Sequence, residues 1–151
     1  MLDRPLRINS RAAKVRYHDV VVDRFEVRTL PIEDLWQTVP AVPAFADEIQ
    51  TSISTFGLVN PIIIVRLPLE DVTAHFKQKG YTKKNIVNAL PDRPVLNVIW
   101  GGGNRVEVIR RMGYTHVDCV ILHDFALATE VQNRQRATYR EIKAGKFSEP
   151  A

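Results

Sequence analysis

The apolar positions of this chain change period several times, and each change marks an element. Phe25-Glu26-Val27-Arg28-Thr29-Leu30 alternates apolar with polar residues, the two-residue period of a half-buried strand, and Val20-Val21-Val22 before it also reads as extended. Pro31, Pro40 and Pro43 each remove a backbone donor, so 31–43 is expected to be mostly loop with a turn around Glu33 to Trp36. From Ala44 to Phe56 the period lengthens. Phe45, Ile49, Ile53 and Phe56 stack on one helical face, and Gly57 supplies the stop. Leu58-Val59-Asn60-Pro61 then leads into Ile62-Ile63-Ile64-Val65, β-branched and apolar on both faces, which predicts an interior strand.

Between Arg66 and Pro94 the pattern predicts an insertion carrying two helices, near Leu69 to Lys79 and near Thr82 to Leu90, with Thr82 as N-cap of the second. Lys77, Lys79, Lys83 and Lys84 flank Gly80-Tyr81 there, a pattern that fits a solvated helical hairpin or a basic, aromatic-bearing contact surface. Val95 to Trp100 reads as a strand, broken by Gly101-Gly102-Gly103. Helical spacing follows, with Val106, Val108, Ile109 and Met112 on the buried side and Gly113 as C-cap. His116 to Leu122 is a further strand, reached by so short a connection that the unit reads as strand, helix, parallel strand. A last helix from Ala126 to about Ala144 carries Leu127, Val131, Tyr139 and Ile142, while its middle, Gln132-Asn133-Arg134-Gln135-Arg136, is more polar than a core helix needs. The expectation is an α+β fold, α/β-like, with a small mixed sheet. One domain spans 17–146 with the helical insertion at 66–94, preceded by a flexible basic arm at 1–16 and followed by a tail at 147–151.

A length of 151 residues, 45% apolar and 25% charged, fits one such domain with its own core. Cys119 is the sole cysteine and cannot form an internal disulfide, which favours a reducing compartment, with cytoplasm as the default. No apolar run is long enough to cross a bilayer, so neither secretion, insertion nor a membrane partner is expected. The formal charge is +4, concentrated at the two ends: Arg4, Arg7, Arg11, Lys14 and Arg16 at one, Arg134, Arg136, Arg140, Lys143 and Lys146 at the other. Such clusters suit acidic partners, nucleic acid among them, although the N-terminal one equally fits solvated surface.

The glycine loop carries the clearest candidate chemistry. Glycines let the backbone adopt positive φ and pass close to a bound group. The free amides and dipole of the following helix favour an anion there, and Arg105 adds a forked, permanently charged donor. Phosphate of a nucleotide or nucleic acid is the expected ligand, and a tight turn is the plain alternative. Trp100 abuts the loop, where core packing competes with stacking on a base. A nuclease would need clustered carboxylates or histidines. The candidates are Glu107, Asp118, Asp124, Glu130, His116 and His123. Strand alternation places His116 and Asp118 on one face, but their spacing matches no recognised metal motif and a satisfied-polar role is expected. Glu107 is expected to orient Arg105 or to favour the helix dipole, and Cys119 reads as a buried small apolar residue.

Three stretches resemble the ParB/sulfiredoxin superfamily, over about Leu30 to Arg136 apart from the insertion. Ala46 to Val65 is similar to the ParB pattern of a helix ending in Ser-Ile, then Gly-Leu, then Pro-Ile and a strand. Gly101-Gly102-Gly103-Asn104-Arg105-Val106-Glu107 looks like the Gly-Gly-Cys-His-Arg-Tyr-Glu loop with which sulfiredoxins hold ATP phosphates, and like the Gly-Glu-Arg-Arg box of ParB nucleotide sites. Gln132 to Arg136 resembles the Glu-Asn-x-Gln-Arg box that contacts nucleotide phosphate and metal. The resemblance implies a stand-alone ParB N-terminal-like domain of the kind frequent in phages and mobile elements, often labelled ParB-like nucleases. It implies a phosphate-binding set of Gly101, Gly102, Gly103, Asn104, Arg105, Asn133, Gln135 and Arg136, with Mg²⁺ accompanying CTP or ATP as cofactor.

The departures point the other way. Gly103 stands where sulfiredoxin has its reactive cysteine, so sulfinic-acid reduction is excluded. Gln132 replaces the glutamate expected beside Mg²⁺. The chain stops soon after the third motif, leaving no room for helix-turn-helix and dimerisation domains, so centromere-type partitioning is not expected. Binding of nucleotide or nucleic acid is the leading expectation, with hydrolysis left open. The alternatives are a catalytically inactive fold that binds a protein partner through 66–94, for instance a modulator of a host enzyme, and a metal-dependent nuclease. A homodimer is compatible with each.

Overall fold

In the structure, a computed structural model, residues 2–9, 25–37, 42–80 and 90–133 are described. Six strands form one mixed sheet: β1 (Pro5–Leu6), β2 (Val27–Pro31), β3 (Leu35–Gln37), β4 (Ile62–Pro68), β5 (Val95–Gly101) and β6 (His116–Leu122). The helices are α1 (Ala46–Phe56), α2 (Leu69–Gln78), α3 (Gly103–Arg111) and α4, helical over 125–133. No helix among the described residues is long and apolar enough to cross a membrane.

The β-branched run does become the central strand. β4 lies between β5, to which it is antiparallel, and β6, to which it is parallel, and Ile62, Ile63, Ile64 and Val65 have no solvent exposure. Alternation sends Ile62 and Ile64 to one face, where they meet Ile49 and Ile53 of α1 and Val106 and Ile109 of α3. Ile63 and Val65 go to the other face, against Val72 and Phe76 of α2 and Phe125, Ala128 and Val131 of α4. Helices therefore cover both sides of the sheet and keep the strand from water on both faces.

Several expectations are corrected. Because β4 is antiparallel to β5 and parallel to β6, β5 and β6 oppose one another. The nine-residue α3 returns the chain to the end of the sheet it left, and the unit is not a parallel crossover. The proline-punctuated stretch hides β3, which pairs in parallel with β5 after a 3-10 turn at Ile32–Asp34. Three residues are too few to display a period. In α1 the buried positions are Ile49 and Ile53 alone, while Phe45 precedes the helix and stays 46% exposed.

The first turn of the insertion's leading helix is tied to the sheet by the Leu69 N–H bond to the Pro94 carbonyl, 2.9 Å. With Val72 and Phe76 fully buried, α2 is a core helix and not one arm of a solvated hairpin. The expected helix at 82–90 lies almost wholly outside the described residues, as do Val20 to Val22.

Residues 2–9, expected as part of a flexible arm, are docked. His116 and Val117 each pair with both β1 and β2, and Cys119 and Val120 with both β2 and β4. A strand has two edges, so β1 and β4 lie end to end along the edge of β6 opposite β2. The arm is held by more than its ladder. The Arg4 N–H donates to Thr115 Oγ1 (2.7 Å), the Arg4 guanidinium lies 4.3 Å over the Tyr114 ring, and the Ile8 N–H donates to Asp118 Oδ2 (2.8 Å). Leu6 supplies the buried anchor.

Phe76→Ala is expected to lower the unfolding free energy by about 3–5 kcal/mol, as for a large aromatic removed from a packed core. Denaturant titration followed by circular dichroism measures it, and a loss under about 1 kcal/mol would return α2 to the status of a surface hairpin.

Candidate phosphate-binding site

The junction of β5 and α3 is built from backbone first. Gly101 sits opposite Ile63, next to an irregularity in register between Ile63 and Ile64. Gly102 has φ +110° and is the N-cap of α3, with no side chain capping the helix and no acidic residue in its first turn. The first helical bond runs from Val106 N–H to the Gly102 carbonyl at 2.9 Å. The amides of Gly103, Asn104 and Arg105 therefore have no acceptor within the helix, as at any helix start.

Packing explains why glycine stands at the first two positions. A Cβ on Gly101 would fall 2.8 Å from Ile63 Cδ1 and 3.2 Å from Gln132 Cγ, and one on Gly102 would fall 2.7 Å from Ile62 Cδ1. On Gly103 it would meet Gln37 Nε2 at 3.0 Å, the movable end of a side chain. Gln132 of α4 thus packs directly on the glycine loop, although about thirty residues separate the two in sequence. Asp124 sets the start of α4: its Oδ1 accepts from Ala126 N–H (2.7 Å) and Leu127 N–H (3.3 Å), an N-cap.

The side chains of the loop are largely turned to the protein. Arg105 donates from Nη1 to the Asn60 carbonyl at 2.5 Å and from Nη2 to the Pro61 carbonyl at 3.3 Å, fixing the entry of β4 against the start of α3. Asn104 Oδ1 accepts from Val42 N–H at 2.8 Å, holding the segment before α1 against the same turn. Asn133 is exposed one residue beyond Gln132, while Gln135 and Arg136 lie outside the described residues. Two polar residues not singled out in the sequence join the site. Gln37 ends the strand hidden among prolines, and Asn60 is only 7% exposed with its Oδ1 lacking a protein hydrogen-bond partner. An asparagine between apolar residues and a proline was the available signal for Asn60.

Trp100 takes the packing role. Its Nε1–H donates to Thr129 Oγ1 of α4 at 2.9 Å, and its ring lies edge-on to Phe125 at 4.8 Å and to His75 at 5.8 Å. His75 in turn stacks on Phe125, centroids 3.7 Å apart and planes 12° from parallel. Burial among these rings, and secondarily the charge of Lys79, hold the His75 imidazole below its ordinary value of 6.5.

The acid–base candidates are dispersed. Glu107 pairs with Arg110 (2.8 Å) and Arg111 (3.2 Å), not with Arg105. Asp118 accepts from the Ile8 amide and from Thr29 Oγ1 (2.6 Å), Asp124 caps α4, His116 Nδ1 lies 2.7 Å from Thr115 Oγ1, and His123 Nδ1 lies 3.0 Å from the Arg66 carbonyl. Among the described residues no three His, Cys, Asp or Glu side chains form a metal-binding group. Cys119 is fully buried. Desolvation, with the Asp118 charge second, pushes its thiol up to about 12, so it carries no thiolate at neutral pH.

No family model matches the chain, and no curated protein sequence matches it. Among solved structures it is similar to the crystal structure of sulfiredoxin from Arabidopsis thaliana, at 16% identity and a TM-score of 0.41, over 73% of this chain and 97% of that one.

Gly102→Ala combines a left-handed φ with a collision and is expected to cost about 2 kcal/mol or more. Gly103→Ala displaces only the Gln37 amide and is expected to stay within about 1 kcal/mol. Urea unfolding of the two variants tests the contrast. His75 adds a pH dependence. Its imidazole is more readily protonated in the unfolded chain, so its contribution to stability is intact above 6.5 and is lost as the pH falls below that value. Between about pH 7.5 and about pH 5.5, His75→Phe should lose less stability than the wild type, and equal losses would remove His75 as the cause.

Proposed function

We propose that the glycine loop is a phosphate-binding site, and that its ligand is a nucleotide or a nucleic-acid phosphate. The observation that supports this reading is the seating of Gln132, the first residue of the polar stretch, on Gly101 beside a helix start with no side-chain cap. The amides of the first turn of α3 supply the donors and the helix dipole the attraction. Asn60, whose carbonyl Arg105 holds, keeps its buried Oδ1 without a hydrogen-bond partner among the described residues, an unsatisfied group suited to a bound water.

Arg105 has a changed part in this reading. It secures Asn60 and Pro61 and lends positive charge beside Gly102, and the backbone amides are read as the principal donors. Gln135 and Arg136 remain proposed contacts through the sequence resemblance alone. The donor set is amides and carboxamides, with no carboxylate in the first turn of α3 and Gln132 in place of glutamate, which does not suit direct ligation of Mg²⁺. We read the site as holding phosphate without a protein ligand to the metal. A nuclease reading has no carboxylate cluster behind it among the described residues.

Gly103→Asp provides the test, because an acidic residue in the first turn suits the helix yet repels an anion. Calorimetric titration with CTP, ATP and tripolyphosphate should show saturable binding to the wild type that weakens about tenfold or more in the variant, with folding intact. Replacing Mg²⁺ by chelator should change the wild-type affinity by less than about threefold. For short duplex DNA the same reading expects affinity that falls steeply with salt. Absence of binding to every phosphate ligand would sink it.

A further inference from the structure

The outward face of α2 has no role in the phosphate site and presents a pattern of its own. Val72 and Phe76 point into the core, which leaves Glu70, Thr73, Ala74 and Lys77 as a stripe on the opposite side, at the three- and four-residue spacing of one helical face. This stripe floors a shallow groove of about 570 Å³ walled by Pro68, Leu69 and Pro94. Val95, 48% exposed, follows directly on Pro94. The groove asks little of water. Thr73 Oγ1 already donates to the Leu69 carbonyl at 2.8 Å, so the hydroxyl is satisfied within its own helix and is cheap to cover.

We propose that this face binds a second copy of the same chain, with the two α2 helices antiparallel across a twofold axis. The charges select that occupant. Glu70 and Lys77 stand at equal distances on either side of the point midway between Thr73 and Ala74. A twofold through that point sets each Glu70 against the Lys77 of the other copy and each Thr73 against an Ala74. Small residues at the crossing let the helices approach closely, and antiparallel packing also opposes their dipoles favourably. A parallel pairing would set like charges together at both ends. The self-complementarity required of an isologous interface is therefore written into four residues of one helix.

A charge exchange tests the geometry, on the full chain, by sedimentation over a concentration series. The wild type should show reversible monomer–dimer association. Glu70→Lys and Lys77→Glu, each turning two attractive pairs into two repulsive ones, should each raise the dimer dissociation constant about tenfold or more. The double exchange, Glu70→Lys with Lys77→Glu, should restore it to within about threefold of the wild type, since the pairs are reversed and not lost. Unfolding of each variant as a monomer should shift by no more than about 1 kcal/mol per exchanged charge, the cost of reversing a charge at an exposed helix end. A wild type that stays monomeric at every concentration overturns the proposal. So does a double exchange that fails to recover association, an outcome that would assign the groove to a different partner.

Discussion

Everything in this fold answers to one strand that cannot face water. Ile62 to Val65 is completely buried, so both faces need cover, which helices supply, and both edges need strands. The α1/α3 pair and the α2/α4 pair are two halves of one solution, and neither layer is dispensable. The constraint reaches the site as well. Gly101 and Gly102 are glycines because Ile63 and Ile62, on opposite faces of this strand, leave no space for a side chain above them. The loop read as a phosphate cradle is at the same time the gap that the packing of β4 demands.

Close packing accounts for Gly101 and Gly102 without a ligand, and leaves Gly103 open. What packing leaves unexplained is the helix start with neither cap nor acidic residue, and a buried carboxamide oxygen without a partner next to the Arg105 clamp. A protein interior seldom leaves a buried oxygen such as Asn60 Oδ1 unmatched. The aromatic nest of His75, Trp100 and Phe125, joined through Thr129, fastens α4 to β5 and thereby fixes where Gln132 meets the loop.

The sequence was most legible where the period was long or uniform. The runs 44–56, 62–65 and 106–112 each satisfy one template over enough residues to exclude the others, and the structure has a helix at Ala46–Phe56, a central strand and a helix at Gly103–Arg111. It was least legible where pairing comes from far away. β1 and β3 have two and three residues, and their extended form is decided by β6 and β5 and not by their own composition. Strand direction was equally hidden, because a short helical connection does not reveal that β4 stands between the strands it joins. At the site, the backbone elements were readable from the glycines and the spacing after them. The destination of the Arg105 guanidinium was not, since the carbonyls that receive it lie 44 and 45 residues away in sequence.

The end-to-end seating of β1 and β4 along β6 has a consequence in time. The first strand of the sheet pairs with the last: Pro5 and Leu6 find their register only on His116 and Val117. During synthesis the leading segment emerges more than a hundred residues before its template, and the sheet is completed by an event that closes almost the whole described chain into a ring. A protein assembled in this order keeps one end of its central edge open until the final strand is in place.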